Sequence, residues 1–281
     1  LLTKAPACYR TEINELLLTA LALTMTEWTE SSTALLDLEG HGREHISDSI
    51  DISRTVGWFT SIFPLILSVD HADLSHVIKA VKEQVRAVPM KGMSYGLLRY
   101  LHDDVDVRQR IAGLPGAQLS FNYLGQLDKV VDDGALLQAA DEKPGSEIAP
   151  ACDRHYDLEV SGKVMAGKLQ LAWRYSTALH QEKTVRRLAD SFAKHLTQVI
   201  QHCINPENTG YTPSDFPLAK LDQRDIDTLF GNRSFAKKDS RIEAVYPLSP
   251  VQEGMLFHSL YEPGSWVYFD QVSVDLGGNV D

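Results

Sequence analysis

Cysteine is scarce in this 281-residue sequence: only Cys8, Cys152 and Cys203 occur, an odd and widely separated set. Such spacing argues against a disulfide framework and fits a reduced, cytoplasmic protein whose thiols are buried or idle. Long apolar runs are also missing. The stretch 16–23 is too short to span a bilayer, and the opening Leu1-Leu2-Thr3-Lys4-Ala5-Pro6 has no basic start leading into an apolar segment. No membrane span and no export signal are expected. Positive charge is short too: 27 Lys+Arg face 38 Asp+Glu, and no basic stripe offers a grip on nucleic acid phosphates.

Several catalytic signatures are absent. No Walker-type glycine loop occurs, which removes support for nucleotide hydrolysis. The pairs Glu44-His45 and Cys152-Asp153-Arg154-His155 lack the partners and spacing of a zinc site, so no metal is expected. What remains is an ordinary globular composition, 43% hydrophobic and 23% charged, with enough apolar side chains for a sizeable core in one or two domains.

Hydrophobic periodicity predicts the elements. Thr11 is a candidate cap for a helix running to about Trp28, with Ile13, Leu16, Leu17, Ala20 and Leu21 on one face. Residues 33–38 read as a buried strand leading into a glycine-flanked loop at His41, and 56–69 as a strand made irregular, or placed at an edge, by Pro64. Helical spacing follows over 74–88 and 97–101, then a strand over 118–123 and a hairpin over 158–175 turning near Ala166-Gly167. Residues 181–203 form a long amphipathic pattern. Helices mixed with non-adjacent strands predict a layered α/β fold without the regular alternation of a Rossmann sheet.

The character changes after Asn205, where Pro206, Pro213 and Pro217 precede a short helical pattern at 223–230 and a polar run at 231–241. We therefore expect one domain over 1–222, a linker over 223–243 and the incomplete start of another domain over 244–281. In that last piece Ser249-Pro250-Val251-Gln252 supplies a cap, a first-turn proline and a reaching Gln for a helix, and 266–276 reads as a strand. One helix and one strand are too little to bury a core. Both ends of the sequence are expected to belong to something longer.

Four segments carry a resemblance: Glu39-Gly40-His41-Gly42-Arg43-Glu44; Asp51-Ile52-Ser53-Arg54-Thr55-Val56-Gly57-Trp58-Phe59-Thr60-Ser61, running on to Phe63-Pro64-Leu65; Val88-Pro89-Met90-Lys91-Gly92-Met93-Ser94-Tyr95-Gly96; and Ser120-Phe121-Asn122-Tyr123-Leu124-Gly125-Gln126. In this order they resemble the signature motifs of epimerisation domains in nonribosomal peptide synthetases. Residues 246–260 are similar to the entry helix of a condensation domain, the related family that forms the peptide bond. The resemblance implies a chloramphenicol-acetyltransferase-like two-layer fold, of which this chain would supply the C-terminal lobe of a V-shaped pair. It also implies L-to-D inversion at the α-carbon of an aminoacyl or peptidyl thioester. No HHxxxDG string occurs, so the histidine half of such a site would lie on the N-terminal lobe.

The implied partners are that lobe, an upstream peptidyl carrier domain and a downstream condensation domain. No cofactor would be bound here; the substrate would arrive on the carrier's 4'-phosphopantetheine. Glu39 is the catalytic candidate, because a partly desolvated carboxylate at a strand end suits proton transfer. Asn122, Tyr123, Arg54 and His41 are candidates for contacting substrate or pantetheine, and Arg43 and Arg54 for pairing with Glu39 or Glu44. Trp58, Phe59 and Phe63 are expected in the core. Two other readings stay open: a condensation-domain piece, and a non-catalytic carrier-docking module.

Overall fold

The computed structural model describes residues 1–44, 47–70, 73–127, 145, 152–230, 242–264, 268, 270–275 and 277. The chain divides into two compact units, Leu1–Ser214 and Asp215–Asp281.

The first unit is a single mixed sheet with helices packed on one face. Its elements are α1 (Lys4–Ala7), α2 (Ile13–Thr29), β1 (Thr33–Gly40), β2 (Ser61–Ser68), α3 (Leu74–Arg86), α4 (Met93–Gly96), α5 (Val105–Ala112), β3 (Leu119–Gln126), β4 (Leu158–Met165), β5 (Lys168–Tyr175) and α6 (Glu182–Ile204). The strand order is β2-β1-β3-β4-β5. Neighbours are antiparallel at both ends (β1 with β2, β4 with β5) and parallel in the middle (β1 with β3, β3 with β4).

Helix α2 occupies the centre of the helical layer, packed against α6, α3 and β1. Leu16, Leu17, Leu18, Ala20, Leu21 and Ala22 are all fully buried, which is the apolar-all-round character of a core helix. Its buried threonines stay satisfied by donating back to the preceding turn, Thr19 to the Glu15 carbonyl at 2.8 Å and Thr24 to the Ala20 carbonyl at 2.7 Å. Helix α6 is amphipathic instead and buries Val185, Leu188, Phe192, Leu196, Val199 and Cys203 along one stripe. From the sheet, Leu36, Leu38, Phe63, Leu67, Phe121 and Val160 point into the same core.

The opposite sheet face is open along its edges. On β2, Ile62 and Ile66 are 48% and 60% exposed, and on β5 every second residue from Lys168 is exposed. Strand alternation puts Leu35, Asp37 and Glu39 of β1 on this face, all half-buried.

Most expected elements are present, with informative shifts. Helix α2 is capped at Glu12, not Thr11, because the Glu15 carboxylate reaches back to the Glu12 N–H at 2.7 Å. The segment 56–60 is not strand; β2 begins at Ser61 and, as an edge strand, tolerates Pro64 opposite Asp37. Residues Leu97–Leu101 form a π-helical turn. The β4–β5 turn is where the sequence puts it, with Ala166 and Gly167 both at positive φ (52° and 67°), as a tight two-residue hairpin requires.

In the second unit, α7 (Gln223–Phe230) and α8 (Pro250–Tyr261) match expectation, and Ser249 and Gln252 form the capping box at the start of α8. The strand expected over 266–276 is absent at the described residues 270–275. A strand needs a neighbour to take its backbone hydrogen bonds, and among the described residues this unit has none to pair with. The polar run 231–241 lies outside the described residues.

A buried ion pair ties α2 to α3. Arg86 Nε donates to Glu15 Oε1 at 2.7 Å, and Nη2 donates to Glu15 Oε2 at 3.2 Å and to the Arg10 carbonyl at 2.7 Å. The Glu15 side chain is only 4% exposed. Arg86→Met is expected to lower unfolding free energy by about 3–5 kcal/mol, since it strands a buried carboxylate. Adding Glu15→Gln should recover part of the loss in urea denaturation.

Candidate active site

Glu39 stands at the end of β1, on the open face of the sheet. The parallel register Asp37↔Ser120 and Leu38↔Phe121 carries on to set Asn122 beside it, and their side chains are hydrogen-bonded, the amide N–H donating to the carboxylate. Partial burial raises the proton affinity of Glu39 above the usual carboxylate range, and outweighs the opposing effect of the Asn122 bond. Two of the sequence candidates are thus brought together, and the carboxylate is biased toward holding a proton.

The loop after β1 is built on Gly42. Its φ of +65° suits glycine, and a Cβ there would stand 1.5 Å from the Phe59 carbonyl oxygen. His41 is a loop-former in this arrangement. Its Nδ1 accepts the Arg43 N–H at 3.0 Å, which leaves Nε2 to carry the proton toward Glu44 Oε1 at 3.2 Å. The ring is 67% exposed. Glu44 also meets Lys91 Nζ at 3.3 Å, joining the first motif to the third.

Arg43 does not pair with Glu39 or Glu44. Its guanidinium lies 4.3 Å from the Phe59 ring centre and donates to the carbonyls of Ile52 (3.1 Å), Thr55 (3.0 Å) and Gly57 (3.2 Å). A planar fork with five donors can serve several converging carbonyls at once. Arg54 is exposed in the loop so pinned and makes no ion pair with Glu39 or Glu44 among the described residues. Trp58 departs from expectation as well: it is 90% exposed, while Phe63 is core and Phe59 is half-buried beneath Arg43.

The third motif forms a left-handed turn. Met90, Lys91 and Gly92 have φ of 49°, 49° and 91°, and a Cβ on Gly92 would fall 1.9 Å from Phe63 Cδ1. Tyr123, next to Asn122 in sequence, packs against the helical core on the other side of β3, as alternation demands. Its buried hydroxyl has no hydrogen-bond partner, and burial raises its pKa.

The structure adds one pair that sequence reasoning misses. Tyr156 donates from Oη to Asp37 Oδ2 at 2.9 Å. Burial first, then the Asp37 bond and the charges of Asp37, Glu159 and Glu39, holds this phenol protonated well above its ordinary range. The period of two places Asp37 on the face of Glu39; nothing in the sequence singles out Tyr156.

With this geometry in view, the comparisons decide the family. Residues 1–221 match the Condensation domain model. The chain belongs to the condensation domain family of nonribosomal peptide synthetases. It is 44% identical over 277 residues to one of the linear gramicidin synthase proteins of Brevibacillus parabrevis, covering 98% of this chain but 4% of that protein. It is 37% identical over 282 residues to bacitracin synthase 3 of Bacillus licheniformis, covering 100% of this chain and again 4% of the relative. The crystal structure of the epimerization domain from the third module of tyrocidine synthetase B superposes with a TM-score of 0.66 at 36% identity, over 72% of this chain and 45% of that one. The condensation-family domain thus has the chloramphenicol-acetyltransferase-like α/β fold. Among the described residues, no helix is long and apolar enough to cross a membrane.

Two outcomes are expected. Because folded Glu39 holds its proton more tightly than the unfolded chain does, stability falls as pH rises from the ordinary value of 4.5 through its higher folded value. Glu39→Gln should therefore melt higher than the parent at neutral pH, with the difference vanishing below about pH 4. Gly42→Ala should lose about 1–3 kcal/mol and open the 51–59 loop to limited proteolysis.

Proposed function

We propose that this chain is the C-terminal lobe of an epimerising member of the family, joined to the start of a following condensation domain. The observation that carries this is Glu39: a half-buried carboxylate with raised proton affinity, held beside Asn122 at the end of β1. Likeness to a solved epimerization domain and the four ordered motifs support the same reading.

In this reading an aminoacyl or peptidyl thioester arrives on the 4'-phosphopantetheine of an upstream peptidyl carrier domain. The thioester carbonyl acidifies the α-carbon, because the electron pair left by the departing proton spreads onto oxygen. Glu39 exchanges that proton on one face, and a histidine of the N-terminal lobe serves the other. Proton removal on one face and return on the other inverts the centre. Asn122 orients the carboxylate and offers an amide to substrate or pantetheine. Arg54 and His41, at the loop rim, are proposed to contact substrate or pantetheine; Tyr123, whose buried phenol lies on the other face of β3, is not placed to do so. A second reading, amide-bond formation, is favoured by the Condensation match over 1–221.

The test uses the parent synthetase, with its carrier loaded with an L-aminoacyl thioester in deuterated buffer. Glu39→Gln is expected to slow both α-deuterium entry and appearance of the D-isomer by about 10²–10⁴-fold. Undiminished exchange and inversion by that variant would remove Glu39 from the chemistry. Amide formation without any α-exchange in the unaltered protein would establish the second reading.

A further inference from the structure

Far from Glu39, the fold gathers a cluster of titratable groups where the start of the chain meets the end of α6. Tyr9 Oη and His202 Nε2 are hydrogen-bonded at 2.8 Å with their rings stacked, and the buried Lys82 Nζ donates to the Tyr9 carbonyl at 2.7 Å. These contacts lock the neighbouring residues Cys8 and Cys203 side by side. The two thiols lie against one another, and Cys8 Sγ donates to the Asn208 carbonyl at 2.9 Å. Cys8 and Cys203 are 7% and 5% exposed, whereas Cys152 is exposed.

We propose that Cys8 and Cys203 form an oxidisable dithiol, a modification site that closes to a disulfide on reaction with a small-molecule disulfide. Cys8 attacks first. The neighbouring Cys203 thiol and the charge of Lys79 hold its thiol below the ordinary range, and it directly follows the four-residue helix α1, whose local opening is the step that admits a small reagent. Attack on one reagent sulfur forms a mixed disulfide on Cys8 and releases one thiolate. Cys203 then loses its proton to solvent and attacks the Cys8 sulfur, releasing the second reagent thiolate. The protein loses two hydrogens in all, and the reagent disulfide becomes two thiols. The bond would join α6 to the segment after α1 and close a loop spanning most of the first unit.

The full chain is to be incubated with oxidised glutathione in native buffer, acid-quenched, alkylated and peptide-mapped. The expected product is a Cys8–Cys203 linked peptide, unchanged by Cys152→Ser, with a thermal midpoint raised by roughly 5–15 °C and restored by dithiothreitol. Cys203→Ala should instead stop at a stable glutathione adduct on Cys8. Adducts that persist in the unaltered chain without linkage, or bridges that run through Cys152, overturn the proposal. The map of the unaltered chain decides the matter even if the variant fails to fold.

Discussion

The parallel pairing of β1 with β3 is the constraint on which the rest depends. Strand side chains alternate between faces, so the register Asp37↔Ser120 and Leu38↔Phe121 fixes two things at once. Leu38 and Phe121 enter the core, while Glu39 and Asn122 meet on the open side. A slip of one residue would expose Phe121, which is fully buried, and would drive charge toward α2. The hydrophobic core therefore enforces the geometry of the candidate site.

Around this frame the motif loops hold unfavourable backbone in place through packing and polar ties. Gly42 and the run Met90, Lys91 and Gly92 sit at positive φ beside Phe59 and Phe63. Each is held from outside: Arg43 gathers three carbonyls of the second motif, and Lys91 meets Glu44 of the first. Three motifs separated in sequence thus become one connected rim beyond the end of β1. Left-handed backbone of this kind persists only where its surroundings compensate for it.

The site is only partly legible in the sequence. Glu39 and Asn122 are readable as strand-end polar residues, and their meeting follows from strand pairing. Arg43 invites a carboxylate partner because charge is visible in a sequence and converging carbonyls are not. Trp58 reads as core on its apolar character, yet it lies in a loop whose path is set by Arg43 and Gly42. Tyr123 groups with Asn122 as a neighbour in sequence, whereas a period of two sends the pair to opposite faces.

By itself, the sequence determined the local events: the existence of helix α2 and one apolar face of it, the amphipathic α6, the turn at Ala166-Gly167 and the capping box at Ser249. These depend on spacing within one or two turns, which patterns record directly. Only the tertiary structure decided which distant groups meet, as with Glu39 and Asn122, Asp37 and Tyr156, Arg86 and Glu15, and Cys8 and Cys203. The reason is physical: such contacts are selected by sheet register and helix packing across scores of residues, and no local pattern encodes them.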